Sequence, residues 1–245
     1  MLRDYQIEMK TRLMEAWKAH RSVMVQMPTG TGKTHLLASV VSEFVSSAGS
    51  GVWLIAHRRE LVAQMEETLA KYGIRREDTP VRVMAVQWLS RHWNEAGDAP
   101  GLIVIDEAHH ALAASYTEMW KRYPAAKKLG VTATPCRLNR RGFTELFEVL
   151  VTSWSIAEFI EKGVLSVFDY VSIRPGSEEQ RLIDGLEKRG ADGDYQVKEM
   201  DAVLNRRPGI ERLYRSVRQF ASGKKGMVYA ISIEHARRIA EYYSR

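Results

Sequence analysis

The stretch from Val23 to Thr34, VMVQMPTGTGKT, limits the possible folds more than any other part of the chain. An apolar run ends directly on two glycines spaced one residue apart, and a Lys-Thr pair and a helical pattern from Leu36 to Val45 follow. Strand, glycine loop and helix in that order form a phosphate-cradling turn. Gly30 and Gly32 let backbone N–H groups converge on an anion without Cβ obstruction. Lys33 is then placed to reach phosphate oxygens, and the Thr34 hydroxyl to hold a divalent cation. Thr29 and Thr31 complete the cradle, and the following helix turns its positive end toward the same anion. The general pattern would put glycine where Met27 stands; Met27 is expected to be the last residue of the strand instead.

Downstream, Val52-Trp53-Leu54-Ile55-Ala56 and Leu102-Ile103-Val104-Ile105 are continuous apolar runs, the pattern of strands buried on both faces. Val81 to Val86, Lys128 to Thr132 and Val149 to Val151 add further strands, and Arg59 to Tyr72 and Ile156 to Lys162 read as helices. Strands alternating with helices predict an α/β fold with a central parallel sheet flanked by helices. Val167 to Ile173 is expected as another strand, residues 175–208 as a polar linker, and 210–220 as a helix. Gly226 to Ile231 and the helical stretch after it look like the start of a second α/β domain. The expected division is 1–174, linker 175–208, and 209–245. The tryptophans, set in helical and strand patterns, are expected in the core.

A phosphate loop needs a second metal ligand and a group to orient water. Ile103-Val104-Ile105-Asp106-Glu107-Ala108-His109 offers both, an aliphatic strand ending in adjacent acids. Asp106 is the candidate Mg²⁺ ligand, and Glu107 the candidate base for the water that attacks a γ-phosphate. His109-His110 has no partner at zinc spacing, and no base is indicated for a nucleophilic role of Cys136.

These motifs, in this order, resemble those of the superfamily 2 helicases and translocases, the DEAD/DEAH-box group in its broad sense. QMPTGTGKT looks like motif I, Asp106-Glu-Ala-His109 like motif II, and Leu54 to Gln64 with its Arg-Glu-Leu core like motif Ia. Val131-Thr-Ala-Thr-Pro135 is similar to motif III, and Leu2-Arg-Asp-Tyr-Gln6 to the adenine-recognition segment of DNA-linked members. The resemblance implies a RecA-like P-loop NTPase fold with ATP and Mg²⁺ as cofactors. It implies adenine contacts for Gln6 and Arg3, and catalytic roles for Lys33, Asp106, Glu107 and His109. It further implies coupling through Thr132 and Thr134, and nucleic-acid contacts for Arg59, with Gln87 and Arg137 as further candidates on the same track. DNA is favoured over RNA because the opening segment resembles restriction-enzyme motor subunits, repair helicases and phage helicases.

Such motors close two RecA-like domains on ATP, and the second domain supplies arginines that stabilise transition-state charge. Gly226 to Ala236 resembles motif IV, and the chain stops at Arg245, so a fragment that lacks the second half of the cleft is expected, with very slow hydrolysis and no unwinding. The last forty residues carry ten Lys/Arg against three acids, and thus the whole +6 excess of the chain. That stretch reads either as part of a phosphate-binding surface or as a solvated helix face. An RNA helicase, a silent nucleic-acid-binding fragment and a non-motor nucleotide module are the rival readings. The one cysteine excludes an internal disulfide. No apolar run reaches the roughly 18–20 residues of a membrane span, and the first residues lack a signal-like apolar core, so a cytoplasmic location is expected.

Overall fold

A computed structural model describes residues 2–57, 59–110, 114–135, 143–172, 176–190 and 194–244. Arg137, Cys136, Arg140 and Arg141 lie outside the described residues. The chain divides into two compact units, Met1–Val167 and Phe168–Arg245, against an expected first boundary at residue 174.

The first unit is built on six parallel strands: β1 Ser22–Gln26, β2 Val52–Ala56, β3 Val81–Ala85, β4 Leu102–Asp106, β5 Lys127–Thr132 and β6 Val149–Thr152, in the order β3-β2-β4-β5-β1-β6. Helices connect them: α1 Asp4–Ala19 precedes β1, α2 Lys33–Ala48 follows it, α3 Glu60–Ala70 follows β2, α4 Val86–Leu89 follows β3, and α5 Ala114–Arg122 leads to β5. After β6, α6 Ile156–Glu161 starts on a capping box: Ser155 Oγ accepts from the Glu158 N–H, and the Glu158 carboxylate accepts from the Ser155 N–H.

Alternate residues of the central strands feed two cores. Val23, Val25, Leu54, Leu102 and Val104 pack with Leu36 and Val40 on one face, and Met24, Trp53, Ile55, Ile103 and Ile105 pack with Tyr116 and Met119 on the other. Burial on both faces is why these strands lack polar alternation, and each such side chain contributes about 1.5–3 kcal/mol. Gly130 in β5 permits a close approach: a Cβ there would lie 2.5 Å from the Phe147 ring and 2.8 Å from Ala108 Cβ.

Helix α1 adds to the elements expected from the strand and helix patterns. Its buried residues Tyr5, Met9, Leu13 and Trp17 recur every fourth position, a spacing that marks one helical face.

The second unit contains α7 Ser177–Asp184, α8 Val197–Leu204, α9 Arg207–Phe220 and α10 Ile233–Tyr243. The expected linker therefore holds α7, α8 and an antiparallel bridge between Arg189 and Tyr195. Its polar composition concealed two short helices that pack on each other. Tyr214 of α9 meets Tyr242 and Tyr243 of α10 edge-on at 5.5 and 4.9 Å. The strands expected at Val167 to Ile173 and Gly226 to Ile231 do not form among the described residues. Tyr170 is 84% and Tyr229 90% exposed, so the β-type pattern is present without a neighbouring strand to complete a ladder. Among the described residues no helix is long and apolar enough to cross a membrane.

Candidate functional site

Strand register brings the predicted residues to one edge of the sheet. Gln26, which leads into the glycine loop, pairs with Thr132, and Asp106 pairs with Val131. The loop, the Thr-Ala-Thr turn and the acid pair thus sit on the adjacent strands β1, β5 and β4, at the carboxyl ends where parallel sheets bind ligands. Met27 is fully buried and its N–H donates to the Thr132 carbonyl at 3.0 Å, extending the ladder by one residue. A strand residue buried in this way has no need of glycine's freedom.

Gly30 and Gly32 both take left-handed backbone, with φ of 85° and 80°. Gly32 is the N-cap of α2 and brings no side-chain cap, so the first N–H groups of a 16-residue helix are left for an anion. Thr31 is fully buried and its hydroxyl donates to the Pro28 carbonyl at 2.7 Å. Thr31 therefore shapes the loop from within, whereas Thr29 and Thr34 are exposed.

Beneath the loop lies the side chain of Gln6, 3% exposed. Its Nε2 donates to the carbonyls of Thr31 (3.1 Å) and Gly32 (3.2 Å), and its Oε1 accepts from the Arg3 N–H (2.9 Å). Tyr5 donates its hydroxyl to the Thr31 carbonyl at 2.9 Å, and its ring is wedged against Phe159 and Trp154. A Cβ on Gly32 would fall on the Gln6 amide. The opening segment is thus a strut for the phosphate loop, and Arg3 is exposed beside it.

At the end of β4, burial pushes the Asp106 carboxyl above the usual carboxylate range. The Glu107 N–H, bonded to Asp106 Oδ1 at 2.9 Å, pulls it down; the Glu107 carboxylate pushes it up again, and the positive charges of Lys33 and His109 lower it. Lys33 of the loop and Asp106 of the acid pair therefore share one electrostatic environment. Glu107 is the one non-glycine residue with positive φ, at 49°, among the described residues. Strained backbone of this kind concentrates at functional sites.

His109 joins the acid pair to the Thr-Ala-Thr turn. Its Nδ1 lies 2.9 Å from Thr132 Oγ1 and 3.4 Å from Glu107 Oε2. The Thr132 hydroxyl, fully buried, donates to the Thr134 carbonyl (3.1 Å) and accepts from the Thr134 N–H (3.1 Å). With its single proton so used, that hydroxyl accepts from His109 Nδ1–H. This chain links residues that are 23 positions apart in sequence. Among the described residues no three His, Cys, Asp or Glu side chains converge on one point. The donor set fits a polyphosphate carrying a divalent cation, since Mg²⁺ characteristically takes one or two protein ligands plus phosphate and water oxygens.

Arg59 and Gln87 lie away from the loop, along a groove of about 860 Å³ bordered by α3, β3 and α4. Gln87 Nε2 donates to the His57 carbonyl at 2.6 Å, tying the end of β2 to α4. The groove also holds a residue the core expectation misplaced: Trp88 is 39% exposed. Its place one position after Gln87, on the solvent side of a four-residue helix, is set by tertiary structure and has no periodic signature.

Residues 1–137 match the family described as the type III restriction enzyme, res subunit. A 51.5 kDa protein of a Lactococcus phage (isolate 7-9) is 26% identical over 222 residues, covering 90% of this chain and 46% of its own length. The DNA 3'-5' translocase XPB2 of Sulfurisphaera tokodaii is 28% identical, covering 77% of this chain and 44% of that protein. The chain therefore spans less than half the length of these relatives. The crystal structure of the UvsW helicase from bacteriophage T4 shares the fold, with a TM-score of 0.52 at 17% identity over 61% of this chain and 59% of that one. With glycine loop, acid pair and Thr-Ala-Thr turn joined at one sheet edge, the chain belongs to the family of the type III restriction enzyme res subunit, and carries the amino-terminal RecA-like domain of a superfamily 2 helicase.

Proposed function

We propose that this chain is the amino-terminal motor domain of an ATP-dependent DNA helicase or double-stranded DNA translocase. The observation that carries the reading is His109, which faces the Glu107 carboxylate at 3.4 Å and hydrogen-bonds Thr132, itself bonded to Thr134, beside the glycine loop. A static nucleotide store has no need of a link between the acid pair and the Thr-Ala-Thr turn. Gly30, Thr31, Gly32, Lys33, Thr34 and Thr29 hold the phosphates of ATP, and Thr34 and Asp106 would hold Mg²⁺. When bound, Mg²⁺ would supply neutralisation of the phosphate charge. Lys33 balances the γ-phosphate charge, and Glu107 accepts the proton of the attacking water. His109 registers the presence of the γ-phosphate through its hydrogen bond to Thr132. Arg59, with Gln87 and Arg137, contacts a nucleic-acid backbone, and DNA is preferred over RNA.

The test is binding of a fluorescent, slowly hydrolysed ATP analogue with Mg²⁺, followed by competition with duplex DNA and duplex RNA for a labelled duplex. Lys33→Ala should weaken analogue binding at least tenfold, and Arg59→Ala should weaken DNA binding without changing analogue affinity. Equal analogue binding by wild type and Lys33→Ala would sink the proposal.

A further inference from the structure

β3 ends the sheet, so its outer edge has no ladder partner among the described strands. The groove on that edge runs from Arg59 and Trp88, beside the carboxyl end of β3, to Arg76 and Arg82 near its start. Five strand residues span about 16 Å, enough for a few nucleotides. Four arginines line the groove against two glutamates, Glu66 and Glu95, so its charge is positive at neutral pH. Arg82 is committed to the framework, donating to the Ala96 carbonyl at 2.9 Å. Arg59, Arg76 and Arg91 are exposed, and none makes an ion pair or side-chain hydrogen bond among the described residues.

Trp88 gives the groove a second kind of contact. His92 stacks on one face of its indole at 4.9 Å and 10°, and His92 Nδ1 is held 2.8 Å from the Trp88 carbonyl. The indole is thereby braced in place while 39% exposed, so stacking a further ring on it costs little side-chain ordering. Unpaired guanidinium groups beside a braced, exposed indole form the combination that grips single strands: charge for the backbone, a π-face for a base. An added peptide strand would use the free β3 edge, but it supplies no partner for three unpaired cations unless it is strongly acidic.

We infer that the β3-edge groove holds a single nucleic-acid strand, with one base stacked on Trp88 and phosphates against Arg59, Arg91 and Arg76. The inference rests on the nucleic-acid reading above and adds to it a strand path and a base contact.

The experiment is fluorescence anisotropy of a labelled oligothymidylate with the full chain, compared across wild type, Trp88→Ala, Trp88→Phe and Arg76→Ala, with a second strand carrying abasic sites. Base–aromatic stacking of about 1–3 kcal/mol corresponds to a roughly 5–150-fold loss for Trp88→Ala. Trp88→Phe should retain most of the affinity, and Arg76→Ala should reduce the salt dependence of binding. On the abasic strand, wild type and Trp88→Ala should bind alike, a result that a general folding defect would not produce. Wild-type affinity of Trp88→Ala on the thymidylate strand, with the salt dependence unchanged in Arg76→Ala, would overturn the groove assignment and leave the nucleic-acid reading standing. Tighter binding of an acidic peptide than of the oligonucleotide would also overturn it. Failure of the wild type to bind any nucleic acid would overturn both.

Discussion

Replacing Gln6 by Met tests whether the opening segment is a strut for the phosphate loop in the absence of nucleotide. Three hydrogen bonds disappear: one accepted from the Arg3 N–H and two donated to the Thr31 and Gly32 carbonyls. The partners left behind differ in their need. Thr31 O keeps the Tyr5 hydroxyl, and Gly32 O keeps the N–H groups of His35 and Leu36. The Arg3 N–H is orphaned at an exposed helix start, within reach of water. No buried group is therefore stranded, and the loss is the net worth of the bonds themselves, about 0.5–1.5 kcal/mol each, rather than a desolvation penalty. Met restores the buried volume, which holds the total in the lower half of the range, at about 1.5–3 kcal/mol. In a chain of this size 1 kcal/mol shifts Tm by roughly 2–4 °C, so thermal unfolding without nucleotide should show a drop of about 3–12 °C. ATP-analogue affinity should fall as well, because the loop loses its support. A Tm within 1 °C of wild type, with analogue affinity lost, would refute the argument and leave the amide as a base-reading group only.

Asp106→Asn should raise stability at pH 7 by about 0.5–2 kcal/mol, because it removes a carboxylate whose burial disfavours the charged form. Because the folded carboxyl titrates above its unfolded value, the Asp106 contribution is most favourable below the ordinary carboxylate range and is lost as pH rises through the raised value; the two proteins should therefore converge in Tm as pH falls below about 4. Gly130→Ala should cost about 1–3 kcal/mol by overpacking Phe147 and Ala108, visible as a lower urea midpoint with unchanged m. Thr132→Val, nearly isosteric, leaves the Thr134 N–H and His109 Nδ1 without their shared partner. A loss of about 1–3 kcal/mol is expected, together with nucleotide binding that no longer alters DNA affinity, read by titrating DNA with and without the ATP analogue.

Much of the first unit is legible in the residues because its signals are local. The continuous apolar runs at β2 and β4 declare strands buried on both faces, and the glycine pair before Lys33 requires left-handed backbone that few other residues accept. The acid pair after an aliphatic run likewise announces the carboxyl end of a strand. Other features were written in the residues but needed a longer view, as with the every-fourth-residue face of α1. Gly226 to Ile231 marks the opposite case: a β-type pattern is only half of a strand, because the ladder bonds come from another segment.

Residue identities settle which chemical groups are present and which local backbone they favour, since propensity, glycine freedom and aliphatic runs act over a few residues. Tertiary structure alone decided that Gln6 braces the loop, that His109 and Thr132 share a hydrogen bond, and that Trp88 stands in a basic groove while the other described tryptophans are buried or part-buried. Those outcomes depend on strand order and register, which bring together residues far apart in the chain. The free energy of such contacts comes from long-range packing that no short window of residues contains.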